Sequence, residues 1–190
     1  MSTHKTVPAR EKLLEAAGRL FYAGGLTATG IDTITAEAGV AKKSLYNNFS
    51  SKEDLTVAYL EARHTEWLDL YSRRLAQAST PEQRVLAVVD AYLDHARLPY
   101  ARGFRGCGLL NAAAELPAGS PGRTVVRRHK EEVEALLAGH LVEAAVPDPQ
   151  GTAEHLAFLL EGAMSRAGLE GSAARLVRAR ELAAGLVGGT

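Results

Sequence analysis

The sequence predicts an all-α chain of about nine helices, and three observations carry that prediction. Apolar residues recur at helical spacing through nearly every segment. No stretch shows the strict alternation of a half-buried strand. A capping residue followed directly by proline, a helix-start signal, recurs at Thr80-Pro81, Ser120-Pro121 and Asp148-Pro149. At 190 residues the chain is long enough for one or two small domains with a real core.

The first helix has Pro8 in its first turn, a buried stripe of Leu13, Ala17, Leu20 and Phe21, and an end at Gly24-Gly25. Thr29 is placed to cap the second helix, with Asp32 as its partner three residues on. From Ile31 to Phe49 the chain reads as a short helix, a tight turn at Gly39 and another short helix. Glycine suits that turn because it reaches positive φ without a Cβ clash. Ile34, Ala38, Val40, Leu45 and Phe49 are spaced to share one small core. Lys42, Lys43, Ser44, Tyr46, Asn47 and Asn48 then face outward. Cations, a hydroxyl, a phenol and amides suit a DNA groove, where they reach phosphate oxygens and base edges. A plainer reading stays open at this point, since two amphipathic helices joined by glycine occur in many helical proteins.

Ser51 can cap the fourth helix with Asp54, which puts Lys52 in its first turn and carries the helix to about Gln77. Thr80-Pro81-Glu82-Gln83 starts the fifth, which runs to Arg97 and stops before Pro99. Cys107 to Glu115 forms a short helix ended by Pro117. Ser120 and Asp148 open the seventh and eighth, and a last helix follows Gly171-Ser172 and frays at Gly188-Gly189. The one boundary worth drawing is the start of the fourth helix, giving residues 1–52 and 53–190.

Net charge is zero overall, but it is not evenly spread. Residues 1–52 hold seven Lys and Arg against four Asp and Glu, a net +3, and the remainder is −3. A basic head on an acidic body fits one face meeting phosphate. The single cysteine, Cys107, excludes an intramolecular disulfide and suits a reducing compartment. The N-terminus turns amphipathic before any apolar run could act as a secretion signal, and no stretch nears the roughly 18 apolar residues of a membrane span. A cytoplasmic chain without membrane contact is expected. Phosphate-binding, nucleophile-elbow and zinc-protease motifs are absent, and six scattered histidines give no ligand spacing. No enzyme, metal or cofactor is expected.

Arg10 to Leu55 resembles the DNA-binding domain of the TetR/AcrR transcriptional regulators. The matching phrases are Leu14-Glu15-Ala16-Ala17, Leu20-Phe21, Gly24 through Thr29, Ile34, Ala38-Gly39-Val40, Leu45-Tyr46, Phe49 and Ser51 through Leu55. Thr35 stands where a small alanine is common, which bears on helix packing, and Lys43 and Asn47-Asn48 depart at positions that face DNA, which leaves the fold and makes the operator sequence unpredictable. The resemblance implies a three-helix helix-turn-helix head on a C-terminal helical domain for ligand binding and dimerisation. A homodimer would then present two heads to successive major grooves of a palindromic operator on double-stranded DNA. Thr29, Tyr46 and Lys52 would bind phosphates, with Lys42, Lys43, Ser44 and Asn47 over the groove.

The resemblance further places a pocket for a small, largely apolar effector among Trp67, Leu70, Tyr71, Tyr92, Phe104, Cys107, Leu110, Asn111 and His129. Plain core packing is the competing reading of these residues. Asn111 among apolar neighbours requires a partner, because a buried unpaired amide costs about 1–3 kcal/mol. His129 lies on the Val125/Val126–Val133–Leu136/Leu137 face, as a core histidine or a polar group toward a ligand. The dimer interface falls to the last two helices, at Leu159, Gly162, Ala163, Ala167, Leu176, Ala179, Ala183 and Leu186. A repressor relieved by its effector is the expected function. A thiol switch at Cys107 and a helical protein-binding adaptor are the alternatives.

Overall fold

The computed structural model describes residues 7–188. Among them are nine helices and no strand. In order they are α1 (Ala9–Gly24), α2 (Ile31–Ala38), α3 (Lys42–Asn48), α4 (Lys52–Leu75), α5 (Pro81–Ala96), α6 (Gly108–Ala114), α7 (Pro121–Glu143), α8 (Pro149–Glu170) and α9 (Ala174–Gly188). Gly189 lies outside the described residues. The described chain forms two compact units, residues 7–62 with 109–125 and residues 63–108 with 126–188. These do not follow a division at residue 52. The first turns of α4, through residue 62, and all of α6 but Gly108 fall in the first unit, where Leu55, Tyr59, Leu60, Leu109 and Ala112 are buried.

In the first unit, Leu13, Ala16, Ala17 and Phe21 of α1 are buried with Ile34, Leu45, Phe49, Leu55, Tyr59 and Leu60. Ala16 takes the place expected for Leu20, which is only half-buried. The Phe21 and Tyr59 rings meet edge to face at 5.4 Å. Gly39 adopts φ 62° and ψ 36°, and the amide of Val40 donates to Thr35 O at 3.1 Å, so left-handed backbone ends α2 and starts the turn. Thr35 is buried with its hydroxyl on Asp32 O, so the departure noted there costs no unpaired group.

Capping matched the sequence at three starts and differed at two. Ser51 Oγ accepts the Asp54 amide at 3.0 Å. Thr80 caps α5 through Gln83 N, and Asp148 caps α8 through Gly151 N. Thr29 does not cap α2. Its hydroxyl donates back to Gly25 O at 2.7 Å, and Gly30 stands at the N-cap without a side-chain bond. The Ser120 hydroxyl is buried without a hydrogen-bond partner, so α7 begins on Pro121 without the expected side-chain cap.

In the second unit, α9 packs on α5 and α8. Ala163, Ala167, Leu176, Ala179 and Ala183 are all buried within the protomer. Small side chains there let the helices approach closely. The same logic holds at Gly168 of α8, where a Cβ would collide with the backbone of Arg105 and Gly106. Gly168→Ala is expected to destabilise this unit by about 1–3 kcal/mol, as overpacking against backbone does; thermal denaturation checks it.

Candidate nucleic-acid interface and effector site

The head holds α3 by its inner side and leaves the outer side open. Leu45 and Phe49 are buried, while Lys42, Lys43, Tyr46 and Asn47 are exposed, Tyr46 by 52%. Arg10 covers the outer face of the Phe49 ring at 5.1 Å. Ser44 is half-buried, and Asn48 is turned back onto its own helix, its amide donating to Ser44 O at 2.8 Å. Lys42 pairs with Asp32 of α2 at 2.8 Å, and the hydrogen bond to that carboxylate raises its pKa. Arg19 of α1 bonds Glu37 of α2 and Glu15 of its own helix, which ties α2 to α1.

Two residues expected on phosphate have inward partners. Thr29 is buried with its hydroxyl on Gly25 O. Lys52 donates from Nζ to Leu26 O at 2.6 Å, which leaves other ammonium protons for a second acceptor. The loop these residues share is also held by Glu115, which the sequence did not single out as a functional residue. Its two carboxylate oxygens accept from the amides of Leu26 and Thr27.

In the second unit, the structure brings four of the expected effector residues together. Trp67 stacks on Tyr71 with ring centroids 5.7 Å apart and planes 8° from parallel. Tyr92 and His129 meet the same indole edge to face, at 5.5 and 5.4 Å. All four are buried, as is Leu70. The indole Nε1 is buried without a hydrogen-bond partner. Phe104 instead joins a separate ring group with His95 and Tyr100. Leu110 and Asn111 belong to the first unit, and Asn111 is exposed, so the cost of burying its amide does not arise.

Lys130 was also missed, because an Arg-Arg-His-Lys-Glu-Glu run reads as a solvated face. Its ammonium lies 3.1 Å from Glu161, 5.7 Å from the Tyr92 centroid and 3.9 Å from Cys107 Sγ. Burial opposes its charge, but Tyr92, Cys107 and Glu161 together outweigh this and its pKa is raised. Burial also pushes the Tyr92 hydroxyl up to about 12. His129 bonds His64, Nδ1 to Nδ1, at 3.0 Å. Burial, with Lys130 adjacent, lowers the His129 pKa from 6.5 to about 3, so the folded chain keeps it neutral. The unfolded chain protonates it below pH 6.5. Its contribution to stability is therefore complete above pH 6.5 and is lost as pH falls toward 3, with a slope approaching about 1.4 kcal/mol per pH unit. Urea unfolding at several pH values between 7 and 4 checks this.

A surface recess is lined by Arg74, Gln77, Gln83, Asp90 and Arg180. Each arginine there is held by a carboxylate, Arg74 by Asp94 and Arg180 by Asp90. The recess is thus charge-balanced and unlike an apolar chamber.

The expected dimer residues divide by exposure. Ala163, Ala167, Leu176, Ala179 and Ala183 pack inside the protomer and cannot form its surface. Leu159 is half-buried, and Gly162 and Leu186 are exposed. The exposed apolar side chains beside them are Phe158 and Leu169 of α8, 66% and 82% exposed, and Val177 and Leu182 of α9.

Residues 13–59 match the family model of bacterial regulatory proteins, tetR family, and residues 81–183 match that of the tetracyclin repressor-like C-terminal domain. The solved TetR-family transcriptional regulator SCO4454 from Streptomyces coelicolor is 33% identical, with a TM-score of 0.81 over 96% of this chain and 93% of that one. The transcriptional activator FasR of Mycolicibacterium smegmatis is 41% identical over 45% of this chain and 39% of its own length. The transcriptional repressor DhaR of Mycobacterium sp. (strain GP1) is 32% identical over 63% of this chain and 57% of its own length. The chain thus spans less than two thirds of either curated relative. No helix among the described residues is long and apolar enough to cross a membrane.

Proposed function

Because this chain belongs to the tetR family, it is a DNA-binding transcriptional regulator and not an enzyme, and we propose that it acts as a homodimeric repressor released from a palindromic operator by a small, largely apolar molecule. The observation that carries the DNA half is α3. Its buried side is anchored by Leu45, and its outer side offers two lysines, a phenol and an amide. In this reading residues 1–52 bind DNA and residues 53–190 bind effector and partner. Lys43 and Asn47 lie over the groove, where a lysine can donate to guanine and an asparagine can pair with adenine. Lys42 leaves Asp32 for phosphate, Ser44 adds a hydroxyl, Tyr46 and Lys52 bind the backbone of the duplex, and Thr29 joins them only when its hydroxyl leaves Gly25 O. Lys43→Ala is expected to weaken binding and, if its ammonium meets a phosphate, to reduce the slope of log K against log salt by about 1.8 for the dimer, about 0.9 for each head. A fluorescence-anisotropy salt titration on a duplex that the wild-type protein selects from a random pool tests this, and an unchanged affinity removes Lys43 from the interface.

The effector half rests on the ring cluster of the second unit. A ligand among Trp67, Leu70, Tyr71 and Tyr92 has apolar walls, and the unpartnered indole N–H offers one directed hydrogen bond. Release from DNA requires that the effector bind the DNA-incompetent state more tightly. Trp67 is the sole tryptophan, so its fluorescence should change on titration with the apolar compound that releases the operator. Release without any change in that emission places the effector elsewhere. The Lys130 ammonium 3.9 Å from Cys107 Sγ is the observation that supports the thiol switch as a second reading. Burial of Cys107 opposes it. Peroxide that releases operator from the wild-type protein but not from Cys107→Ser would turn the reading to the thiol. The relatives include an activator and a repressor; operator position relative to the promoter decides between them.

A further inference from the structure

The α1–α2 loop, residues 25–29, leads through Gly30 into the helix pair that meets DNA, and side chains grip it from two helices distant in sequence. From the start of α4, Lys52 Nζ donates to the carbonyl of Leu26 at 2.6 Å. Directly after α6, the Glu115 carboxylate accepts from the amides of Leu26 and Thr27 at 3.0 and 2.7 Å. Leu26 is therefore held at its N–H and its carbonyl together. The loop is shaped for this contact. Gly25 has φ 92°, and a Cβ there would stand 2.6 Å from Glu115 Oε1. The Thr27 amide, followed by smaller contributions from the Thr27 side chain, the Leu26 amide and Lys52, holds the Glu115 carboxyl below the usual carboxylate range against the opposing effect of burial.

We propose that Glu115 is a positioning residue for operator binding: its carboxylate fixes residues 25–29, and through them the angle at which Thr29, α2 and α3 meet the duplex. Glu115 follows the last residue of α6, and no other role described for the chain draws on it. The proposal makes a prediction whose sign separates it from simple electrostatics. Glu115 is exposed, and removing an anion near a DNA-binding face should raise affinity if charge alone mattered. Positioning predicts the opposite.

The test uses the full chain and a duplex that the wild-type protein selects from a random pool. Glu115→Ala is expected to raise the Kd about tenfold, with the salt slope unchanged because no cation is lost. Glu115→Gln, which accepts only through its single amide oxygen, should fall between. Hydrogen exchange should quicken at the amides of Leu26 and Thr27 in both. Each Kd is measured well below the melting temperature of the variant, and Glu115→Gln carries the test if Glu115→Ala does not fold. An unchanged or tighter Kd overturns the proposal, as does a lower melting temperature with Kd intact, which marks Glu115 as structural only.

Discussion

The double variant Phe158→Glu, Leu169→Glu is expected to be a folded monomer that binds the operator about 10²–10⁴-fold more weakly than the wild type. Both side chains stand on α8, 66% and 82% exposed, about three turns apart with Gly162 between them. Leu182 and Leu186 of α9 are exposed as well, at 42% and 38%. Within one protomer these positions already face water, so two glutamates there leave the core untouched. Across a two-fold they would bury like charges against themselves, because the same patch meets its own copy. Loss of the dimer removes the second half-site, and with it the gain from binding one head while the other is already seated. Sedimentation velocity reads the oligomeric state, and circular dichroism confirms that the helices persist. A variant that stays dimeric moves the interface off this face.

The second large effect belongs to two neighbours on α3 with opposite orientations. Leu45 is fully buried, whereas Tyr46 is half exposed. Leu45→Ala is expected to cost about 2–5 kcal/mol, the transfer term plus the cavity left in a small core. That is a large fraction of the roughly 5–15 kcal/mol that stabilises a whole domain. DNA binding should then fail through loss of the head, although Leu45 itself faces away from any duplex. Tyr46→Phe should leave the melting temperature in place and weaken binding through the lost phenol contact. Thermal denaturation beside anisotropy separates the two. Equal losses of stability in both variants would contradict the assignment of inner and outer sides.

The helices were legible because their signals are local. Thr80 and Asp148 stand before proline and cap their helices through amides three residues on. Gly39 reaches the left-handed backbone that ends α2 and starts the turn into α3. Interfaces were less legible, since helical spacing marks an apolar stripe without saying what covers it. Ala163, Ala167 and Ala183 looked like a dimer seam and instead pack α8 and α9 within the protomer, leaving the larger Phe158 and Leu169 outside. Glu115 lies 88 residues from Thr27 in the chain, and no periodicity links positions that far apart. Lys130 was hidden by a run of charges in which only the fold decides which one turns inward. Asn111 failed for the converse reason, since apolar neighbours in sequence did not bury it.

The central claim is that two copies of this head read one duplex. Anisotropy titration of purified protein on DNA from immediately upstream of its own gene, in parallel with a duplex selected from a random pool, tests it most directly. Saturation at two chains per duplex, a steep fall of affinity with salt and displacement by unlabelled specific DNA are the predicted result. A folded, dimeric protein that binds neither duplex above its non-specific level would contradict it.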